Sequence, residues 1–133
     1  MKSVMQTTFG NGKGNCFPAC IASLLELSID DVPNFCLDDN KTWLVDCSNW
    51  LDERSYPLID FPLDLSGERP ACLPVWFPVI ASGKYPRGIQ HSVIAQVHDD
   101  QDGLHFLHDP HPDGGWVDPV SWITVIFPKL VVR

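Results

Sequence analysis

The sequence predicts an α+β fold in which two N-terminal helices pack on an antiparallel sheet. The first half of the chain has apolar residues at helical spacing, whereas the second half has short runs of strand-forming residues. The 12 prolines and 9 glycines keep these elements short. With 133 residues, the chain has the size of one ordinary domain, so residues 1–133 are expected to form a single domain.

The first predicted helix begins near Asn15 or Cys16, directly after the glycine-rich stretch TTFGNGKGN. Pro18 fits only the first turn of a helix, where the missing N–H is no loss. One apolar stripe follows at helical spacing, which indicates a helix that faces the core: Phe17, Cys20, Ile21, Leu24 and Leu25.

A short helical turn and a second helix are predicted next. Ser28 and Asp31 have the spacing of a capping box, and Pro33 ends the turn that they open. A second amphipathic helix is expected from about Asp39 to Glu53, packed against the first. Its apolar face consists of Trp43, Leu44, Cys47, Trp50 and Leu51.

The remaining elements are predicted to be strands. A short strand is expected at Leu58–Phe61 within an irregular segment, and longer ones at Val75–Ser82, Gln90–His98 and Leu104–His108. The sequence DDQDG predicts a hairpin between the last two, and Trp122–Phe127 indicates a final strand. Helices first and an antiparallel sheet afterwards is an α+β arrangement.

The overall charge argues against nucleic acid and anionic lipid as partners. Nine basic and 17 acidic residues give a formal net charge of −8, whereas binding to phosphates requires basic residues. The first 15 residues lack the apolar run of a signal peptide, and no segment has the length of a membrane span. We therefore expect a cytoplasmic protein with reduced thiols, and the odd number of five cysteines agrees with this.

Cys16 is the leading candidate for a nucleophile. It is predicted in the first turn of a helix, where backbone N–H groups and the helix dipole stabilise a thiolate. His91 opens a strand on the same side as Val93, and an imidazole there can accept the proton of a thiol. Asp109 follows the next strand and can orient His91, although the hairpin register that decides this contact stays open. A small apolar helix residue, a core histidine and an Asx turn are the structural alternatives.

The order of these residues resembles the papain-like cysteine peptidase superfamily, and within it the small bacterial domains that cleave double-glycine leader peptides. The likeness covers residues 6–27 and 90–115, with the segments GNCFPACIASLLEL, HSVI and DPHPDGG; small phage and bacterial proteins with PRG-x-x-H, here PRGIQH, are also similar. The resemblance implies a papain-like cysteine hydrolase fold, a Cys16–His91–Asp109 triad, a peptide or protein substrate and no cofactor.

The oxyanion hole departs from the family pattern. The related domains have a glutamine five or six residues before the cysteine, where this chain has Asn11 and Gly10. Gln6 is the nearest glutamine, and Asn15 is a second candidate donor unless it serves as the helix N-cap. Arg87 and Trp116 are expected at the rim of the substrate cleft.

Two other classes of function stay open at this point. A papain-like domain without catalysis could hold a protein partner in its cleft. A metal-binding protein could use the histidines and aspartates between residues 98 and 113, although their spacing fits no zinc motif. Among thiol hydrolases, the sequence does not separate peptidase, isopeptidase, deamidase and acyl transferase, and it leaves the oligomeric state unknown.

Overall fold

The computed structural model describes residues 1–10, 12–63, 75–84, 90–98 and 104–128. In this part of the chain, two α-helices and two 3-10 turns precede all strands of a five-stranded antiparallel sheet, which confirms the α+β class. The strands are β1 (Leu58–Pro62), β2 (Val79–Lys84), β3 (Gln90–Val97), β4 (Leu104–His108) and β5 (Val120–Ile126). Their order in the sheet is β1-β5-β2-β3-β4.

Helix α1 spans Cys16–Leu25 and begins where the sequence predicts. Phe17, Cys20 and Ile21 of its apolar stripe are buried. The left-handed conformation of Glu26, with a φ of 57°, ends the helix. Neither this helix nor any other in the described ranges is long and apolar enough to cross a membrane.

The second helix, α2, spans Trp43–Asp52 and therefore begins four residues later than predicted. Its predicted start at Asp39 is wrong because Asp38 and Asp39 both have a φ of 54°, which an α-helix does not accommodate. These residues belong to a 3-10 turn at Leu37–Asp39, and Asn40 then accepts a bond from the Thr42 backbone N–H. The predicted capping turn is confirmed at Ile29–Asp31, with the Ser28 hydroxyl accepting from the Asp30 N–H.

Both helices share one core with the sheet. Cys47 and Leu51 of α2 join Ile21 of α1 and Ile80 and Ile94 of the sheet in a buried cluster. A second buried cluster contains Val79, Ala81, Val93, Ala95 and Ile123. Since neighbouring residues of β2 and β3 belong to different clusters, both sides of the central strands are buried.

The predicted strand boundaries are confirmed for β4 and to within one residue for β1 and β3. The predicted strand at Val75–Ser82 starts only at Val79, because Val75 and Trp76 form a turn in which Trp76 has a φ of 64°. The final strand runs from Val120 to Ile126 rather than from Trp122 to Phe127. The predicted DDQDG turn, residues 99–103, lies outside the described residues.

A register shift in the β3–β4 pair determines which side of the sheet Asp109 faces. Ala95 pairs with Phe106, but the next pair is Ile94 with His108, so Leu107 is an extra residue in β4. Continued by one residue, this register places Asp109 opposite Val93, on the same side as His91. Without the extra residue, Asp109 would face the other side of the sheet.

Candidate active site

The start of α1 presents the Cys16 thiol and free backbone donors together. Asn15 is the N-cap residue, but its side chain makes no capping bond. The N–H groups of the first turn are therefore left without a side-chain acceptor from Asn15. Cys16 itself is half-buried.

The side chain of Asn15 instead fixes the segment before the helix. Its Oδ1 accepts bonds from the backbone N–H groups of Thr7 and Thr8 at 2.8 and 3.0 Å, and its Nδ2 donates to the Thr7 hydroxyl at 2.9 Å. This last bond uses one of the two amide hydrogens of Asn15. The predicted role of Asn15 as an oxyanion donor stays a prediction, and its observed contacts favour a role in holding the loop.

His91 lies near the start of β3 and is only 4% exposed. Its Nε2 forms a hydrogen bond of 2.7 Å with Asp109 Oδ1. A second side-chain hydrogen bond joins the imidazole to Cys16. Because Nε2 is bonded to Asp109, we assign the bond with Cys16 to the other ring nitrogen, Nδ1.

Gly83 of β2 is the residue that pairs with His91 across the sheet. A Cβ atom at Gly83 would overlap the carbonyl oxygen of Pro119 and lie 2.7 Å from Cγ1 of Val117. Only glycine permits the segment before β5 to pass so close to β2. The sequence around PRGIQH gives no sign of this constraint.

The protonated form of His91 is strongly favoured. Burial by itself lowers the pKa of the imidazole, but the hydrogen bonds and charges of Asp109 and Cys16 outweigh it and raise the pKa from 6.5 to about 9. The ring is therefore an imidazolium at neutral pH. It donates one N–H to the carboxylate and the other to the sulfur.

Asp109 is held as a carboxylate by three donors. Besides His91, the backbone N–H groups of His111 and Trp116 donate to its two oxygens, each at 2.9 Å. Burial raises the pKa of Asp109, but the hydrogen bond from His91 and the two backbone bonds lower it to a net value below 3.8. The loop that follows β4 thus wraps around the carboxylate and fixes its orientation.

The N-terminal segment connects the helix of Cys16 to the loop of Asp109. Val4 exchanges hydrogen bonds with the Ser23 hydroxyl of α1, and its carbonyl oxygen lies 2.8 Å from His108 Nε2. Two residues later, the Gln6 backbone N–H donates to the carbonyl oxygen of Pro110 at 3.0 Å. Gln6 is therefore bonded to the residue that follows Asp109. In the sequence, Gln6 lies ten residues before Cys16.

Gln6 is only 7% exposed, and its Oε1 has no hydrogen-bond partner among the described residues. Its Nε2 donates to the carbonyl oxygen of Thr8 at 3.0 Å, which uses one of the two amide hydrogens. A side-chain amide has two hydrogens, so Nε2 can donate to a second acceptor as well.

The two predicted cleft residues have different outcomes. Arg87 lies outside the described residues. Trp116 is half-buried, and its ring stacks on Phe106 with the centroids 5.3 Å apart. Trp116 contacts the site through its backbone N–H, which donates to Asp109. The backbone at Trp116 has a positive φ of 58°.

Two aromatic residues beside the site were not predicted from the sequence. The ring of His111 lies edge-on to His91 at a centroid distance of 6.1 Å, and Phe9 lies edge-on to His111 at 5.2 Å. Phe9 is 47% exposed. The sequence offered only weak signals for them: a lone aromatic residue within a glycine-rich loop, and a histidine two residues after the candidate aspartate.

The histidines considered as metal ligands are separated in the structure. His108 contacts Val4, His111 lies beside His91, and His98 and His105 stack on each other at the far end of β3. In the part of the chain that the structure describes, no group of three or more histidine, cysteine or acidic residues could hold a metal ion.

The other described cysteines have environments unlike that of Cys16. Burial, with a smaller effect of the Cys16 charge, raises the pKa of Cys20 well above 9.0 and that of Cys36 to about 11. Burial likewise raises the pKa of Cys47 to about 12. These three cysteines and Cys16 are free thiols. Cys72, the fifth, lies outside the described residues.

Comparisons with known proteins give no relative from which a function could be transferred. The chain matches no protein-family model, no curated protein and no solved structure. Any assignment therefore depends on the geometry of the site.

Proposed function

We propose that this protein is a papain-like cysteine hydrolase or acyl transferase that acts on amide or peptide bonds. One observation carries the proposal. Cys16, His91 and Asp109 form a continuous hydrogen-bonded row, with the thiol at a helix start and the carboxylate on the far side of the imidazole. This is the order that a nucleophile, a proton carrier and an orienting group require.

The acylation step follows from the protonation state of the row. The sulfur of Cys16 attacks the carbonyl carbon, and the electron pair of the C=O bond moves to oxygen. When the tetrahedral intermediate collapses, the C–N bond breaks and His91 Nδ1 gives its proton to the leaving nitrogen. The products are a thioester on Cys16, a neutral imidazole and a free amine.

The second step returns the site to its starting state. Neutral His91 takes a proton from a water molecule or from an acceptor amine, whose oxygen or nitrogen attacks the thioester carbon. The C–S bond breaks, and the sulfur leaves as a thiolate beside the regenerated imidazolium. Asp109 stays ionised throughout and keeps Nδ1 directed towards the sulfur.

The negative charge on the substrate oxygen needs hydrogen-bond donors. The Cys16 backbone N–H at the uncapped helix start is one. We assign Gln6 Nε2 as the second donor, because the backbone of Gln6 is hydrogen-bonded to Pro110, the residue after Asp109. The greater sequence distance from Gln6 to Cys16 is bridged by the loop that Asn15 closes.

The proposal is tested with a tryptic digest of a cell proteome as substrate, in which mass spectrometry identifies new termini and changed side-chain amides. Cys16→Ala is expected to abolish all such changes while preserving the circular dichroism spectrum, because it removes little buried volume. Asp109→Asn is expected to retain part of the activity, because nucleophile and proton carrier remain. Cys36→Ala is the matched control and should be active.

Full activity of Cys16→Ala, or the absence of any Cys16-dependent product from the digest, would contradict the proposed function.

A further inference from the structure

Three rings form a row that leads outward from the proton carrier of the site. His91 contacts His111 edge-on, and His111 contacts Phe9 edge-on, with centroid distances of 6.1 and 5.2 Å. The first ring is buried, the second is half-buried, and Phe9 is 47% exposed. The row therefore begins at the reacting atoms and ends at the surface.

Phe9 is held in this exposed position by the loop that carries it. The Thr8 N–H donates to Asn15 Oδ1, and the Thr8 hydroxyl donates to the carbonyl oxygen of Lys13 at 2.7 Å. On the other side of Phe9, the carbonyl oxygen of Gly10 accepts from the Gly14 N–H at 2.9 Å. A large apolar ring is thus fixed, half in water, between two anchored neighbours, although burial would be more favourable.

The chemistry of acylation decides which part of a substrate meets this row. His91 must deliver its proton to the leaving nitrogen, so that nitrogen lies within hydrogen-bond reach of the imidazole, about 3 Å. The chain attached to the nitrogen then continues past His91. An extended chain advances about 3.5 Å per residue, so its first two or three residues cover the distance along the ring row.

We propose that Phe9 and His111 form the binding surface for the leaving-group side of the substrate, and that the substrate is a peptide with a large apolar or aromatic residue among the first three residues after the scissile bond. This inference rests on the proposed function and narrows it. Ammonia, the leaving group of a deamidase, has no chain that could contact Phe9 and His111. The geometry therefore favours a peptidase over a deamidase.

The same proteome digest tests the inference with four proteins: wild type, Phe9→Ala, Cys16→Ala and Phe127→Ala. Phe127 is the matched control, because it is an exposed phenylalanine beyond the end of β5 that lies away from His91. For wild type and Phe127→Ala, we expect aromatic and large aliphatic residues to be enriched at one of the first three positions after the cleaved bond. In Phe9→Ala, kcat/KM for a peptide with such a residue should fall about tenfold or more relative to a peptide with alanine there.

The outcomes separate this inference from the function on which it rests. Loss of every Cys16-dependent product would overturn both. Cys16-dependent cleavage with no preference after the bond, with a preference that Phe9→Ala leaves unchanged, or with a preference only before the bond would overturn the inference alone. Cys16-dependent deamidation of side-chain amides without chain cleavage would also overturn it, while supporting a thiol hydrolase.

Discussion

Two histidines mark the ends of strand β3, His91 as its second residue and His98 directly after its last, and they have different surroundings. His91 is 4% exposed and bonded to a carboxylate that two backbone N–H groups also hold. His98 is half-buried, and its Nε2 contacts the uncharged amide oxygen of Gln96 at 2.7 Å. The buried carboxylate of Asp109 beside His91 helps to keep its ring protonated.

The aromatic neighbours of the two histidines differ as well. At the His98 end, Trp76, His98 and His105 stack face to face, with centroid distances of 4.1 and 4.2 Å. At the His91 end the rings meet edge-on, and a thiol occupies the remaining side of the imidazole. The two residues are thus of the same type and lie at the two ends of one strand, and what differs between them is the set of groups that each ring contacts.

The largest effect is expected on kcat, when the histidine at either end of β3 is replaced by alanine. His91→Ala should lower kcat on the order of 10²- to 10⁴-fold, the usual contribution of a positioned proton carrier. His98→Ala should change kcat less than about twofold, because it has no contact with the reacting groups. Steady-state kinetics on one peptide identified from the proteome digest provides the measurement.

The metal-binding alternative makes the opposite prediction for this pair of variants. If substitution of His98, His105 or His108 were more damaging than His91→Ala, the triad assignment would be wrong. A well-folded His108→Ala is required for this comparison, since His108 also contacts Val4.

A smaller effect is expected in the pH dependence of stability. Folding raises the pKa of His91 from 6.5 to about 9, so its stabilising contribution is complete below pH 6.5 and is lost as the pH rises through 9. The free energy of unfolding of the wild type should therefore fall over this interval, by at most about 1.4 kcal/mol per pH unit. Urea denaturation at pH values from about 6.5 to 8 measures this change. This range lies below the pH at which titration of the buried thiols affects the free energy of unfolding.

Asp109→Asn removes the charge that holds this proton, so its unfolding free energy should vary less with pH over the same interval. An identical slope in wild type and Asp109→Asn would contradict the account of the His91 end.

The helices and strands were largely predictable because local patterns determine them. The stripe of α1 and the alternation in β3 each reflect burial of one face, which the sequence records directly. The start of α2 was not predictable in this way. Asp38 and Asp39 take up left-handed conformations in the structure, and nothing in the local sequence pattern requires it.

The composition of the triad was predictable, but its assembly was not. Cys16 could be placed at a helix start and His91 at a strand start from spacing alone. The contact of His91 with Asp109 depends on the extra residue Leu107 in β4, and the turn sequence DDQDG does not encode that shift. The approach of Phe9 to His111 likewise depends on a closed loop whose bonds join residues up to eight positions apart.

The central claim is that Cys16 is activated by the His91–Asp109 pair, and site-resolved alkylation measures this most directly. With limiting iodoacetamide at neutral pH, followed by peptide mass spectrometry, we predict selective modification of Cys16 over Cys20, Cys36 and Cys47, whose pKa values are raised. The rate at Cys16 should drop in His91→Ala and stay unchanged in His98→Ala. Uniform slow labelling of the four thiols, or a Cys16 rate that His91→Ala leaves unchanged, would contradict the account.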